Sequence, residues 1–221
     1  APALSETIEL FRPYVEEGRN IVCFSISNSM SSSGNVMQLA AEELNAQDLI
    51  TVIDSANLST GIGLLVIEAA ILAQNNKTAA EISVAVENLK PYVRASFVVD
   101  TLTYLHRGGR CSAIAAMAGG LLKLHPQIIV EHGAMKPTKK YRGKMDSVIL
   151  SYVKDMEPAL KHARPDRVFI THSGCEPTII NAVRSYLEGL GIFREILETR
   201  AGGVISSHCG PGTLGVLFIE S

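Results

Sequence analysis

The chain has 221 residues and a formal net charge of −2, with 47% hydrophobic and 19% charged residues. This composition is typical of a globular protein with a sizeable buried core and excludes a disordered chain. The nearly balanced charge argues against a non-specific nucleic-acid binder, and no apolar run reaches the roughly 18 residues of a membrane span.

The first half of the chain alternates apolar runs with amphipathic segments. Ser5-Glu6-Thr7 opens an amphipathic helix, and Thr78 with Glu81 forms a capping box that starts another, up to about Leu89. Buried strands are predicted over 20–26 and 49–54, and helices over 34–45 and 61–75. Continuous apolar strands alternating with helices predict a mainly parallel sheet covered on both faces.

The pattern of predicted strands and helices changes after about Asp100. We predict strands over 95–99, 127–131, 167–171, 193–198 and 214–220, and helices ending at Gly108-Gly109 and covering 111–122, 145–162 and 177–190. Shorter strands and a hairpin turn at His132-Gly133 predict some antiparallel pairing. The predicted fold class is therefore α/β with two α/β domains, over residues 1–92 and 93–221.

The cysteines Cys23, Cys111, Cys175 and Cys209 are scattered and have no CxxC spacing. This pattern predicts free thiols in a reducing compartment, and neither a disulfide framework nor a zinc site.

A serine cluster lies between strand 20–26 and the helix that follows it, at Ser29, Ser31, Ser32 and Ser33. The carboxyl ends of parallel strands are where ligands bind, and a free helix N-terminus attracts anions. The cluster therefore predicts an anion site. The alternative is that one serine caps the helix and the others are solvated.

The stretch STGIG places Gly61 and Gly63 at the start of helix 61–75. A lone GxG resembles a dinucleotide fingerprint only weakly. We interpret these glycines as close packing of the helix on the sheet, with Ser59 or Thr60 as the cap; a nucleotide-binding enzyme is the alternative.

Two further stretches carry polar side chains beside glycines. In YLHRGGRCS, Arg107 and Arg110 flank a double glycine. One interpretation is that the glycines end a helix. The other is that a guanidinium group beside the glycine backbone binds a carboxylate or a phosphate. In SSHCGPGTLGV, His208 precedes the rigid turn 210–212 and is predicted to lie in a constrained loop. His172, at the end of strand 167–171, is the second histidine candidate for the functional site.

Serines with a histidine also suggest a serine hydrolase that acts on an ester, with Ser31 or Ser33 as nucleophile and His208 as base. The sequence has no GxSxG elbow around these serines, and Asp54 is a weak candidate for a third triad member.

The ordered set of the serine cluster before AAEEL, VIDSANLSTGIGLLV, YLHRGGRCS, LLKLHPQI, KKYRGK and HCGPGTLGV resembles the DegV family. Members of that family are the fatty-acid-binding subunits of bacterial fatty acid kinase. The resemblance implies two α/β domains with a long-chain fatty acid between them. It implies a cytoplasmic carrier and not an enzyme, with no metal and no cofactor besides the lipid. Such a carrier presents the carboxylate to a separate ATP-using kinase subunit and carries the fatty acid or the acyl phosphate.

The resemblance implies ligand-binding roles for Ser31, Ser32, Ser33, Arg110 and His208. Aligned on AAEEL, the family's Ser-Gly-Thr-Tyr falls on residues 31–34, which keeps hydroxyls at Ser31 and Ser33 but loses the glycine and the tyrosine; a shift of two residues keeps the glycine instead. Family members also begin with a further segment, so the first domain is expected to lack its first strand.

Overall fold

The structure is a computed structural model that describes residues 1–109 and 124–221. The chain divides into two compact units: unit 1 comprises Ala1–Pro91 and His132–Ala134, and unit 2 comprises Tyr92–Glu131 and Met135–Ser221. Unit 1 holds a two-stranded sheet and unit 2 a six-stranded sheet, each combined with helices. The predicted α/β class is confirmed, whereas the helix predicted over 111–122 lies outside the described residues.

Unit 1 is a β-α-β arrangement extended by helices on either side. Its sheet pairs β1 and β2 in parallel, with a register that runs from Ile21 opposite Ile50 to Ser25 opposite Asp54. The predicted strands and helices of this half are confirmed to within two residues at their ends. The elements are α1 (Leu4–Glu16), β1 (Ile21–Ser25), α2 (Ser33–Glu43), β2 (Ile50–Asp54), α3 (Thr60–Gln74) and α4 (Ala79–Leu89).

The predicted capping box at the start of α4 is present. Thr78 Oγ1 accepts the Glu81 N–H at 3.3 Å, and the Glu81 carboxylate accepts the Thr78 N–H at 2.9 Å. These two bonds satisfy backbone donors that the first helical turn leaves free, so the sequence signal and the helix start coincide.

Unit 2 is built on the sheet order β5-β4-β3-β8-β6-β7. β3 pairs antiparallel with β4 and β8, β8 pairs antiparallel with β6, and β6 pairs in parallel with β7. The elements are β3 (Val93–Val98), α5 (Thr103–Gly108), β4 (His125–Glu131), β5 (Ala134–Tyr141), α6 (Met145–Asp155), α7 (Glu157–Leu160), β6 (Ala163–His172), α8 (Pro177–Gly189), β7 (Glu195–Arg200), α9 (Gly203–Cys209) and β8 (Leu214–Glu220).

A buried tyrosine joins α6 to the middle of this sheet. Tyr152 is fully buried, and its hydroxyl donates to the Ser96 carbonyl of β3 at 2.8 Å and accepts the Val216 N–H of β8 at 3.1 Å. The Ser96 hydroxyl lies 2.8 Å from the same oxygen. The helix and the two central strands therefore share one satisfied polar group inside an apolar core.

Three expectations for unit 2 need correction. Its strands have 6 to 10 residues and are longer than the 5-residue strands of unit 1. Strand β5 is not among the predicted strands, and it contains most of the basic segment 136–144. The helix predicted over 145–162 is two helices, because Pro158 has no N–H to continue α6 and its ring clashes with the preceding turn.

Candidate functional site

The carboxyl ends of β1 and β2 lie side by side, and the loop after each is tied to the other. The Asp54 carboxylate accepts the Ala56 N–H at 2.9 Å and the Asn28 N–H at 3.3 Å. The Ser27 N–H donates to the Asn57 carbonyl at 2.9 Å. Asp54, considered as a weak triad candidate, therefore holds the serine loop (residues 26–32) in place through backbone groups.

Two serines of this loop are structural. The Ser27 hydroxyl is buried and donates to the Gly133 carbonyl at 2.6 Å, and the Ser29 hydroxyl donates to the same carbonyl. Gly133 and His132 both have positive φ, of 76° and 50°, as a two-residue type I′ turn requires. A Cβ at Gly133 would lie 2.7 Å from Ser27 Oγ, so glycine is also needed here for space.

The other two hydroxyls of the cluster pair with each other. Ser31 Oγ lies 2.8 Å from Ser33 Oγ and accepts the Ser33 N–H at 3.3 Å. Both side chains are half-buried. A hydroxyl has one hydrogen, so whichever serine donates within the pair, the other keeps an O–H hydrogen that is free to donate.

This pair lies at the N-terminus of α2. Ser33 is the first helical residue, and the first turn contains no acidic side chain. Ser32 is exposed at the N-cap position and makes no side-chain cap bond, whereas the Ser31 hydroxyl accepts the N–H of Ser33, the first helical residue. The backbone N–H groups of the first turn and the helix dipole favour an anion here.

The predicted close packing of the α3 glycines on the sheet is found at neither Gly61 nor Gly63. A Cβ at Gly61 would lie 2.1 Å from Asn57 Oδ1, whereas a Cβ at Gly63 would meet nothing nearer than 3.9 Å. The close approach is therefore real only at Gly61, and its partner is the buried loop side chain Asn57 and not the sheet. Ser59 occupies the N-cap with φ 51° and forms no side-chain cap bond.

His208 lies in a helix, which corrects the expected loop position. It is the penultimate residue of α9, because α9 continues to Cys209 and the turn begins only at Gly210. Its half-buried imidazole lies against Gly108, where a Cβ would be 2.0 Å from Nδ1. The structure thus places Ser31 and Ser33 together in unit 1 and His208 in unit 2.

The turn after His208 is fixed by a serine that sequence reasoning missed. Ser173 is buried; its hydroxyl donates to the Gly210 carbonyl, and its own carbonyl accepts the Gly212 N–H at 3.0 Å. Gly210 and Gly212 have φ of 84° and 72°, which explains both glycines of the GPG turn. Burial raises the pKa of the neighbouring Cys209 thiol to about 12, so the thiol remains protonated and unreactive.

Of the other candidate side chains in the described residues, Arg107 lies on the surface and His172 has a structural role. Gly109, at φ 66°, ends α5, and Arg107 is exposed, which favours the helix-stop interpretation of this stretch. Arg110 lies outside the described residues. His172 is buried: its Nδ1 accepts the Cys175 N–H at 3.3 Å and its Nε2 lies 3.5 Å from Glu198, so it fixes the end of β6.

Over residues 1–109 and 124–221, no group of three or more histidine, cysteine, aspartate or glutamate side chains is arranged to hold a metal ion. In the same part of the chain, every helix is too short or too polar to cross a bilayer.

Comparison with known proteins gives a family for the whole chain. The family model DegV, described as "Uncharacterised protein, DegV family", matches residues 1–221. A DegV domain-containing protein of Clostridium perfringens is 32% identical over 216 residues, which cover 96% of this chain and 74% of the relative.

Solved structures share the fold. One, described as fatty acid binding of a DegV family protein from Thermus thermophilus, is 27% identical with a TM-score of 0.89, covering 100% of this chain and 78% of that one. The Fatty Acid Kinase (Fak) B3 protein of Streptococcus pneumoniae, solved with linoleic acid, is 20% identical with a TM-score of 0.84, covering 100% and 77%.

Proposed function

The chain belongs to the DegV family, and on that premise we propose that it is a carrier that binds a long-chain fatty acid. The Thermus thermophilus relative supports this proposal, because its description names fatty acid binding and it is 27% identical over the whole of this chain.

The observation that carries the proposal is the Ser31–Ser33 hydroxyl pair at the start of α2. One O–H hydrogen and the helical N–H groups are available there to a negatively charged oxygen. Ser32, at the N-cap, completes the proposed anion site. A fatty acid carboxylate is the anion that fits a family of lipid binders.

A favourable free energy of binding for a fatty acid requires hydrogen-bond donors where the carboxylate lies. Each buried methylene of an acyl chain contributes about 0.8 kcal/mol, so a long chain contributes about 10 kcal/mol before entropic costs. A carboxylate buried without hydrogen bonds would cost several kcal/mol of this gain. Hydroxyl and backbone donors that bind the carboxylate prevent that loss.

The finer parts of the proposal follow from the family resemblance. His208 and Arg110 also bind the carboxylate, and the loaded protein presents it to a partner kinase subunit that transfers the γ-phosphoryl group of ATP to a carboxylate oxygen. The proposal places the protein in the cytoplasm, and the free thiols Cys23, Cys175 and Cys209 agree with a reducing compartment.

The proposal is tested on delipidated protein by titration calorimetry with oleate. Hydrogen bonds to a charged group contribute about 1.5–3 kcal/mol each, so we expect the double variant Ser31→Ala/Ser33→Ala and the variant His208→Ala to bind oleate about 10- to 100-fold more weakly. The matched control is Ser207→Ala, because Ser207 is exposed and its hydroxyl donates to the nearby Val204 carbonyl, at 2.8 Å.

Two results would contradict the proposal. Wild-type affinity for oleate in both test variants, with unchanged circular dichroism, would remove these residues from the site. Labelling of wild type by a fluorophosphonate probe, lost in Ser31→Ala or Ser33→Ala, would establish a serine hydrolase instead. Within the described residues, neither hydroxyl is hydrogen-bonded to an imidazole.

A further inference from the structure

Helices α5 and α9 of unit 2 are packed so that each places a ring against a glycine of the other. The His208 ring of α9 lies over Gly108, where a Cβ would be 2.0 Å from Nδ1 and 2.7 Å from Cε1. The Tyr104 ring of α5 lies over Gly210, just after α9, where a Cβ would be 2.4 Å from Cδ2. The two contacts are reciprocal, so together they fix how the end of α9 lies on α5.

The glycine at position 108 has no backbone reason to be there. Gly108 is the last residue of α5 and has the helical conformation that every residue adopts; the left-handed position, at φ 66°, is taken by Gly109. Alanine favours a helix more than glycine does. What Gly108 alone supplies is space, and the imidazole of His208 occupies that space.

We propose that Gly108 is a positioning residue for His208: its missing side chain allows the imidazole to lie against α5, and the Tyr104–Gly210 contact fixes the turn that follows. This inference rests on the proposed role of His208 in binding the carboxylate. A Cβ at position 108 forces the ring into another orientation, because the overlap involves ring atoms close to the backbone of α9 and not the far end of a flexible side chain.

The test compares Gly108→Ala with Gly189→Ala. Gly189 is likewise the last residue of a helix, α8, but nothing lies within 4 Å of the position of its Cβ. Two quantities are measured: the ¹⁵N resonances of the His208 imidazole at one fixed pH, and the affinity for oleate. A double-mutant cycle adds Gly108→Ala to His208→Ala.

We expect Gly108→Ala to shift the His208 ring resonances and to weaken oleate binding about tenfold, a change of about 1.4 kcal/mol. Gly189→Ala changes neither. In the His208→Ala background, Gly108→Ala causes no further loss of affinity.

The proposal is overturned if Gly108→Ala leaves the His208 resonances unchanged, or if it weakens oleate binding equally with and without the imidazole. Failure of the proposed function is distinguishable from both. In that case His208→Ala binds oleate as the wild type does, whereas a shift of the His208 resonances in Gly108→Ala still supports positioning of the ring by Gly108.

Discussion

Removing the Tyr152 hydroxyl tests whether α6 is held to the sheet by one buried polar group. In Tyr152→Phe the ring is kept, but the Val216 N–H loses its acceptor and the Ser96 carbonyl loses its donor. An unsatisfied buried group costs about 1–3 kcal/mol. For two such groups we expect the free energy of unfolding to fall by about 3 kcal/mol, which lowers Tm by roughly 6–12 °C in a chain of this size.

The assay is thermal and urea unfolding followed by circular dichroism, with Tyr186→Phe as the matched control. The Tyr186 hydroxyl donates to Glu157 at 2.5 Å, but the side chain is half-exposed, so water replaces the lost bond. This control should lose less than about 1 kcal/mol. If Tyr152→Phe is no less stable than Tyr186→Phe, the Tyr152 hydroxyl does not bridge β3 and β8 and the reasoning is refuted.

Two further predictions use the contacts of both units. Gly61→Ala should lower the free energy of unfolding by about 1–3 kcal/mol because its Cβ displaces the buried Asn57 side chain, whereas Gly63→Ala, in open space, should be neutral or stabilising in the same urea titration. The hydrogen bond from Lys139 holds the pKa of Asp155 in the folded protein below its usual value. The Asp155 carboxylate therefore stabilises the fold at any pH above its pKa in the unfolded chain, and this stabilisation is lost as the pH falls through its pKa in the folded protein. The stability difference between wild type and Asp155→Asn should therefore shrink as pH falls below about 4; a difference that is constant from pH 7 to pH 3 would contradict it.

The parts of the fold that the sequence predicts well are those decided by local chemistry. The apolar runs of β1 and β2 and the Thr78–Glu81 capping box each need only neighbouring residues, and each appears where predicted. The pairing of β3 with β8 joins positions more than a hundred residues apart in the chain, and no local pattern encodes it. The end of α6 could have been predicted from the sequence, because Pro158 lies within the helix predicted over 145–162.

The site shows the same division. The position of the serine cluster at the end of β1 followed from the strand–helix pattern, but the partner of Ser27 is a carbonyl in a distant turn, at Gly133. Of the glycines, Gly61 and Gly63 look alike in sequence, and only the structure shows that one faces Asn57 and the other open space. The helical position of His208 was missed because three of the seven α9 residues, Val204, Ile205 and Cys209, are β-branched or cysteine, which are weak helix formers.

The local geometry also bears on which serines correspond to the family's hydroxyls. Aligned on AAEEL, the family's tyrosine falls on Gly34, and a Cβ there would lie 2.5 Å from Asn28 Oδ1 and 3.0 Å from Ser25 Oγ. A tyrosine at position 34 therefore does not fit this chain while Asn28 keeps its position. A shift of two residues would instead make Gly34 and Asn35 part of the binding loop, although Gly34 is buried beneath Asn28. This supports our proposal that Ser31 and Ser33 are the hydroxyls that meet the carboxylate.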